Sequence, residues 1–213
     1  MSQQSKYPIV IGVIGGVASG KSTLTALLQK RGAKVILADA IAHDVLKEPV
    51  VIQQLSELFG DGILSNAGQA QGPAIDRKRL AALVFGKDGD PTHRRKQLEA
   101  IVHPRIREIA KAQLQLLRLE SGLQYIVLDA PLLIEGGWLP YCNKVVYVET
   151  SNELRQSWAI ARGWSMNDWQ QRESAQLSLE VKRSHATDIL INLGNLESLE
   201  VEVSRMLERW ESA

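Results

Sequence analysis

A single cysteine, Cys142, stands in 213 residues, so no disulfide can close within the chain, and a reducing compartment suits it. No run of about 18 apolar residues is present to span a bilayer. The opening "MSQQSKYPIVIGVIGG" lacks the charged, apolar and small-residue succession of a secretory signal. Charge of either sign is not in excess: 25 Lys and Arg stand against 24 Asp and Glu, a formal net charge of +1. Bulk attraction to nucleic acid or a membrane surface is thereby excluded, and any positive charge that matters is local. Internal repeats and low-complexity tracts are missing too. His43, His93 and His185 do not combine with Cys142 into a ligand pattern, so no structural zinc is expected. These absences lead to the expectation of a cytoplasmic chain with no nucleic-acid or membrane partner. It is expected to be a monomer, because no leftover amphipathic stripe demands a second copy.

What is present is an ordinary globular composition, 45% hydrophobic and 23% charged, on a chain long enough for one sizeable core or one core with an inserted subdomain. Five short runs rich in Val and Ile read as buried strands: "YPIVIGVI" (7–14), "AKVILA" (33–38), "QYIVLD" (124–129), "KVVYVE" (144–149) and "DILIN" (188–192). None alternates cleanly between apolar and polar, as befits strands covered on both faces. Helical patterns occupy 22–31, 40–58, 76–85, 104–120, 151–163 and 195–210. The last is clearest, with Leu196, Leu199, Val203, Met206, Leu207 and Trp210 on one face. The alternation predicts an α/β fold with a five-stranded, mainly parallel sheet flanked by helices. Two stretches depart from it. Residues 39–120, with a turn-rich patch at 60–73, exceed what a crossover needs and predict a helical subdomain. Residues 162–187 carry many charges and few apolar anchors, which suits a mobile helical segment over a site.

Gly15-Gly16-Val17-Ala18-Ser19-Gly20-Lys21-Ser22 fits G-x-x-x-x-G-K-[ST], between a strand and a helix striped by Leu24, Leu27 and Leu28. Glycines let the backbone turn its N–H groups onto phosphate oxygens, and the new helix adds its positive dipole end. The eight residues and Thr23 are therefore candidate nucleotide contacts. Lys21 is expected to reach the β- and γ-phosphates of ATP, and Ser22 to offer its hydroxyl to Mg²⁺. A GTPase is excluded by the missing base-reading N-K-x-D: the Asn143-Lys144 pair is followed by Val-Val, and Asp129 is followed by Ala-Pro-Leu rather than a switch glycine.

Several further segments, taken together and in order, resemble the dephospho-CoA kinase family. They are "VILADAIAHDVL" (35–46), "IDRKRLAALVF" (75–85), "LEAIVHPRIR" (98–107), "LDAPLLIEGG" (128–137) and the more weakly matching 162–197. With the phosphate loop they cover nearly the whole chain, and the His-Pro and Pro-Leu-Leu-x-Glu elements are the most specific. The resemblance implies a single P-loop kinase domain over 1–213 with the P-loop NTPase fold. Within it, 39–120 would include a helical subdomain on the CoA side, and about 162–187 a lid. It implies transfer of the γ-phosphoryl of ATP to the ribose 3′-hydroxyl of dephospho-CoA, the last step of coenzyme A synthesis. A kinase with another nucleoside, nucleotide or sugar acceptor, or a weakly catalytic nucleotide-binding regulatory module, are the alternative readings.

Within that pattern Asp39, ending the second strand at the sheet edge, reads as the base that takes the hydroxyl proton; as an alternative it caps the next helix. The family often has a second aspartate two positions earlier, where this chain has Leu37, a substitution that strand burial would explain. Arg77, His103, Arg107 and Glu135 are candidate contacts to the acceptor. A solvated charge suits Arg77 equally, and a helix start at His103-Pro104 accounts for the proline alone. Asp129 resembles the acid that holds Mg²⁺ in many phosphate-loop enzymes. Arg162 is the candidate lid cation, arriving as charge builds on the transferred group. The family's second lid arginine is Trp158 here, which reads as a core anchor or as a cation–π partner of Arg162, while Arg155 is a candidate to supply the missing charge. Asn192 and Gly194 keep part of a family motif near the adenine, where Ile191 replaces its aspartate. Arg172, Gln176 and Lys182 read as a solvated lid face.

Overall fold

In the computed structural model, residues 7–65, 72–86, 89–130 and 132–212 are described. The elements run β1 (Ile9–Gly15), α1 (Lys21–Lys30), β2 (Lys34–Leu37), α2 (Ala38–Val45), α3 (Pro49–Phe59), β3 (Leu64–Ser65), β4 (Ala74–Ile75), α4 (Arg77–Phe85) and α5 (Pro91–Arg118). After them come β5 (Tyr125–Asp129), β6 (Lys144–Glu149), α6 (Asn152–Ala161), α7 (Met166–Ser174), α8 (Leu179–Ser184), β7 (Asp188–Ile191) and α9 (Leu196–Glu211). Two compact units result, one of Met1–Leu37 with Leu114–Ala213 and one of Ala38–Gln113.

The first unit holds the five strands read from the sequence, in the order β2-β5-β1-β6-β7, and every pairing among them is parallel. Burial explains the sequence pattern. β5 and β6 at the centre are apolar almost without interruption, because both faces are covered. Ile11, Val13, Val127, Val146, Val148 and Leu190 pack one face against Leu24, Leu27 and Leu28 of α1 and Leu199, Val203 and Met206 of α9. Leu196, placed on the same stripe by its spacing, is instead half exposed at the first turn of α9. Gly12 faces the other way and leaves room for Cys142 and Leu133, whose side chains would meet a Cβ there at 2.8 and 2.9 Å. That packing buries the Cys142 thiol and pushes its pKa up to about 12, so it stays protonated and inert.

Parallel register brings the carboxyl ends together: Gly15 pairs with Val148, Leu37 with Asp129, and Glu149 with Ile191. Ligands of open α/β sheets bind at this edge. Leu37 itself is 47% exposed on the edge strand β2, so burial does not account for a leucine there, contrary to the sequence expectation.

The second unit is helical apart from one small antiparallel ribbon in which Leu64 pairs with Ile75 and Ser65 with Ala74. It flanks residues 66–71, so the middle of the turn-rich patch lies outside the described residues. Two sequence expectations are corrected here. The single helix expected over 40–58 is two, because Pro49 lacks an N–H and takes the first turn of α3. The helix expected to begin at Pro104 begins at Pro91 and carries Pro104 inside it. Val102, Ile106 and Ala110, four residues apart and all buried, keep one face continuous through the proline. Arg105 joins Glu48 to α5 at 2.8 Å and also meets Glu108 at 2.7 Å.

Candidate active site

Strand β1 ends at Gly15 and helix α1 begins at Lys21, with five residues between them, and the turn is buried from Gly15 to Gly20. Gly20, at φ 93°, is the N-cap of α1. Only glycine takes that backbone without strain, and its missing Cβ also leaves space for the Asn192 amide. Ala18, at φ 61°, is the only other non-standard turn residue with a side chain among the described residues. The loop's outward carbonyl is fixed twice: Ser19 O accepts from Thr150 Oγ1 at 2.8 Å and from Asn192 Nδ2 at 3.0 Å. With the Ser19 carbonyl tied outward, that part of the loop is free to turn its N–H groups toward an anion.

Lys21, the first residue of α1, folds its ammonium back onto Gly16 O at 2.7 Å and Gly15 O at 3.2 Å. Burial lowers its pKa to about 8, with Lys182 pushing the same way and Asp129 and Glu173 opposing. A cation held this loosely gains a great deal from an incoming phosphate. Asp129, at the end of β5, accepts from the buried Thr25 Oγ1 at 3.2 Å. Ser22, in the first turn of α1, is exposed.

Three tryptophans supply the apolar anchors that the sequence of 162–187 did not seem to contain. Trp169 is 5% exposed and clusters with Val17, Ala18 and Ala159, with Trp158 and Trp164 packed alongside. Trp158 is an anchor, as one of its two readings held. The expected Trp158–Arg162 pair is not among the cation–π contacts of the described residues. Those contacts are Arg172 over Trp164 at 4.4 Å, Arg155 over Trp169 at 5.4 Å and, away from this segment, Lys144 over Trp210 at 5.5 Å to the ring centroid. Arg162 sits exposed at the C-cap of α6. Glu135 accepts from Leu177 N–H at 2.9 Å, which ties its loop to the segment between α7 and α8. Pro131, at the head of its motif, lies outside the described residues.

Three polar side chains stand beside the loop: Glu173, which the sequence does not single out, Lys182, which reads there as part of a solvated lid face, and Arg155, a candidate to supply the lid's missing charge. Glu173 accepts from Val17 N–H at 2.8 Å and from Arg155 at 2.6 Å. Lys182, 4% exposed, donates to Gln176 Oε1 at 2.6 Å and lies 3.4 Å from Gly15 O. Burial lowers its pKa too. Arg155, 3% exposed, is the third.

In the second unit Asp39 opens α2, two residues beyond the end of β2, and belongs to the helix's first turn rather than preceding it. Arg77 Nη1 meets His43 Nδ1 at 2.8 Å. His103 and Arg107 share one face of α5, one turn apart and half-buried. The loop, Asp129, Glu135, Arg162 and Asn192 thus belong to the first unit, and Asp39, Arg77, His103 and Arg107 to the second.

The family model for dephospho-CoA kinase matches residues 9–198. The chain belongs to the dephospho-CoA kinase family. It is 36% identical over 190 residues to the dephospho-CoA kinase of Rhodopirellula baltica, spanning 89% of this chain and 85% of that one. A dephospho-CoA kinase of Bacillus licheniformis is 34% identical over 95% of this chain and 96% of its own. Among solved structures, TT1252 from Thermus thermophilus superposes with a TM-score of 0.77 at 35% identity, covering 95% of this chain and 98% of that one. Dephospho-CoA kinase from Campylobacter jejuni gives 0.63 at 27% identity, covering 94% and 96%. Dephospho-CoA kinases are phosphotransferases of the P-loop class, and the Gly15–Ser22 turn that carries the motif lies at the carboxyl edge of β1. Among the described residues no helix is long and apolar enough to cross a membrane.

Proposed function

We propose that this enzyme transfers the γ-phosphoryl of ATP to the ribose 3′-hydroxyl of dephospho-CoA, giving CoA and ADP. The observation that carries the reading is the buried Gly15–Ser22 turn with Lys21 turned inward, in a chain whose family match runs almost end to end.

Loop N–H groups and the amino end of α1 hold the phosphate chain, and Lys21 exchanges the carbonyls of Gly15 and Gly16 for β- and γ-phosphate oxygens. Thr23, in the first turn of α1, lies within the same seat. Asn192 acts through Ser19, whose carbonyl it holds, and so positions the loop. Two hard oxygen donors suit a magnesium ion: the Ser22 hydroxyl and the Asp129 carboxylate, which Thr25 orients. When bound, Mg²⁺ neutralises charge on the β- and γ-phosphate oxygens. Asp39 accepts the proton of the attacking 3′-hydroxyl, a role for which a carboxylate just past a strand end is suited. Arg162, exposed at the end of α6, is the cation that the lid 162–187 brings to the transferred group. Arg77, His103, Arg107 and Glu135 contact the acceptor, so 39–120 serves as its subdomain. No covalent enzyme intermediate is needed, since positioning and electrostatics carry phosphoryl transfer. The enzyme works as a cytoplasmic monomer on small molecules, without nucleic acid or membrane.

The test is the position of the new phosphate. Incubation with Mg-ATP and dephospho-CoA is expected to yield CoA phosphorylated on the 3′-oxygen, read by ³¹P NMR of the product. Phosphate on any other oxygen, or an unchanged dephospho-CoA, contradicts the proposal.

A further inference from the structure

One carboxylate bridges the phosphate loop and helix α6. Glu173 Oε2 accepts from Val17 N–H at 2.8 Å, and its Oε1 accepts from Arg155 Nη1 at 2.6 Å. The two donors form a seat for an anion, with a loop amide on one side and a guanidinium on the other. The guanidinium is built into place. Its Nη2 donates to Asn152 Oδ1 at 3.1 Å, and Trp169 lies 5.4 Å from it. Gly16 lets it come so close that a Cβ there would overlap Arg155 Nη1. Arg155 Nε is buried with no hydrogen-bond partner among the described residues.

The two partners differ in freedom. The Arg155 side chain is 4% exposed and the Glu173 side chain 22%, so rotation into solvent is open to the carboxylate and closed to the guanidinium. A guanidinium this deeply buried is costly to leave without a counter-charge. Three cations gather on the loop: Lys21 on Gly15 O and Gly16 O, Lys182 on Gly15 O, and Arg155 against Gly16. Glu173 is the carboxylate that holds both Arg155 and a loop N–H.

We propose that Arg155 is a binding cation for the terminal phosphate of the nucleoside triphosphate, and that Glu173 is an internal stand-in which must leave the seat before that phosphate enters. The proposal rests on reading the loop as the triphosphate site. Glu173 keeps Arg155 paired when no nucleotide is bound and competes with the nucleotide for it. Trp158 occupies the place of a lid arginine in the family pattern; Arg155, one turn earlier on the same helix, is a buried cation packed against the loop at Gly16.

The experiment is calorimetric titration with Mg-ATP and with Mg-ADP of the full chain and four variants, each checked by thermal unfolding. Glu173→Gln keeps the shape and removes the competing charge, so ATP binds roughly tenfold tighter while ADP changes little. Arg155→Ala loses roughly tenfold in ATP affinity, again with little change for ADP, and Arg155→Lys recovers part of that loss. Should Arg155→Ala not fold, Glu173→Gln decides alone. Unchanged or weaker ATP binding by Glu173→Gln, or equal effects on ATP and ADP, would make the pair a structural strut and overturn the proposal. Lys21→Ala separates the underlying reading: if it binds ATP as the parent does, the loop is not the triphosphate seat.

Discussion

At the scale of single residues, chemistry follows from where burial and charge leave each group. Lys21 is an ammonium whose pKa burial brings down to about 8, while a bound phosphate chain favours its charged form. Below pH 8 the ammonium is already formed and nucleotide binding takes up no proton at this site. Above pH 8 binding must protonate it, so affinity for ATP is expected to be flat up to pH 8 and then to fall toward about tenfold per pH unit. Affinity that stays constant to pH 10 would remove Lys21 from the phosphate seat. Asp39 gives a second prediction. Asp39→Asn keeps the side chain's size but cannot take a proton, so ATP affinity stays within about twofold while turnover drops by roughly 10²–10⁴; near-parental turnover in a steady-state assay refutes the base. The Gly15–Ser22 loop was legible in the sequence because a phosphate imposes a fixed spacing on one loop, and Asp129 was named from its place at a strand end and the family resemblance. That Arg155, Glu173 and Lys182 meet at the loop was not legible, because they come from three helices and only folding brings them there.

At the scale of elements, the sequence marked the strands well and the helix ends poorly. Val- and Ile-rich runs bounded by polar residues have one stable use, a sheet covered on both faces, and all five are found there. Helix limits depended on residues with two meanings. Pro49 starts a helix, whereas Pro104 lies within one that an apolar stripe carries through it. Caps decided the rest. Ser165 and Asp168 close a capping box at α7, in a stretch whose charge content suggested a loosely held segment. Asn195 caps α9 by accepting from Glu197 N–H at 2.8 Å and Ser198 N–H at 3.4 Å. Asn195→Ala is expected to cost about 1 kcal/mol of stability, measured by urea unfolding, with no change in nucleotide affinity. A loss below about 0.3 kcal/mol would show that the cap contributes little against the packing of the α9 stripe.

Across the whole molecule, one unit supplies the phosphate loop on a parallel sheet, and a second, helical unit supplies Asp39 and the histidine and arginines assigned to the acceptor. The core beneath the loop is continuous from α1 through the sheet to α9, so its loss is expected to appear as global stability. Met206, 1% exposed in that core, provides the check. Met206→Ala is expected to cost about 2–5 kcal/mol in chemical denaturation, while ATP affinity at low temperature is retained. A parallel loss of ATP affinity in the folded variant would show that the α9 packing also shapes the loop. Fold class and reaction class were readable before the structure, because the loop motif and the order of the family's segments extend along the chain. The cluster of Val17, Ala18, Ala159 and Trp169 was not readable, since no local pattern announces which turn a tryptophan will cover.

The central claim is that this chain moves a phosphoryl group from ATP to dephospho-CoA. Its most direct test is ADP release by the purified protein with Mg-ATP, alone, with adenosine, and with dephospho-CoA. The account predicts slow release in the first two and a sharp rise only with dephospho-CoA, matched mole for mole by CoA. Equal release with adenosine, or ATP binding without acceptor-dependent ADP, would contradict it.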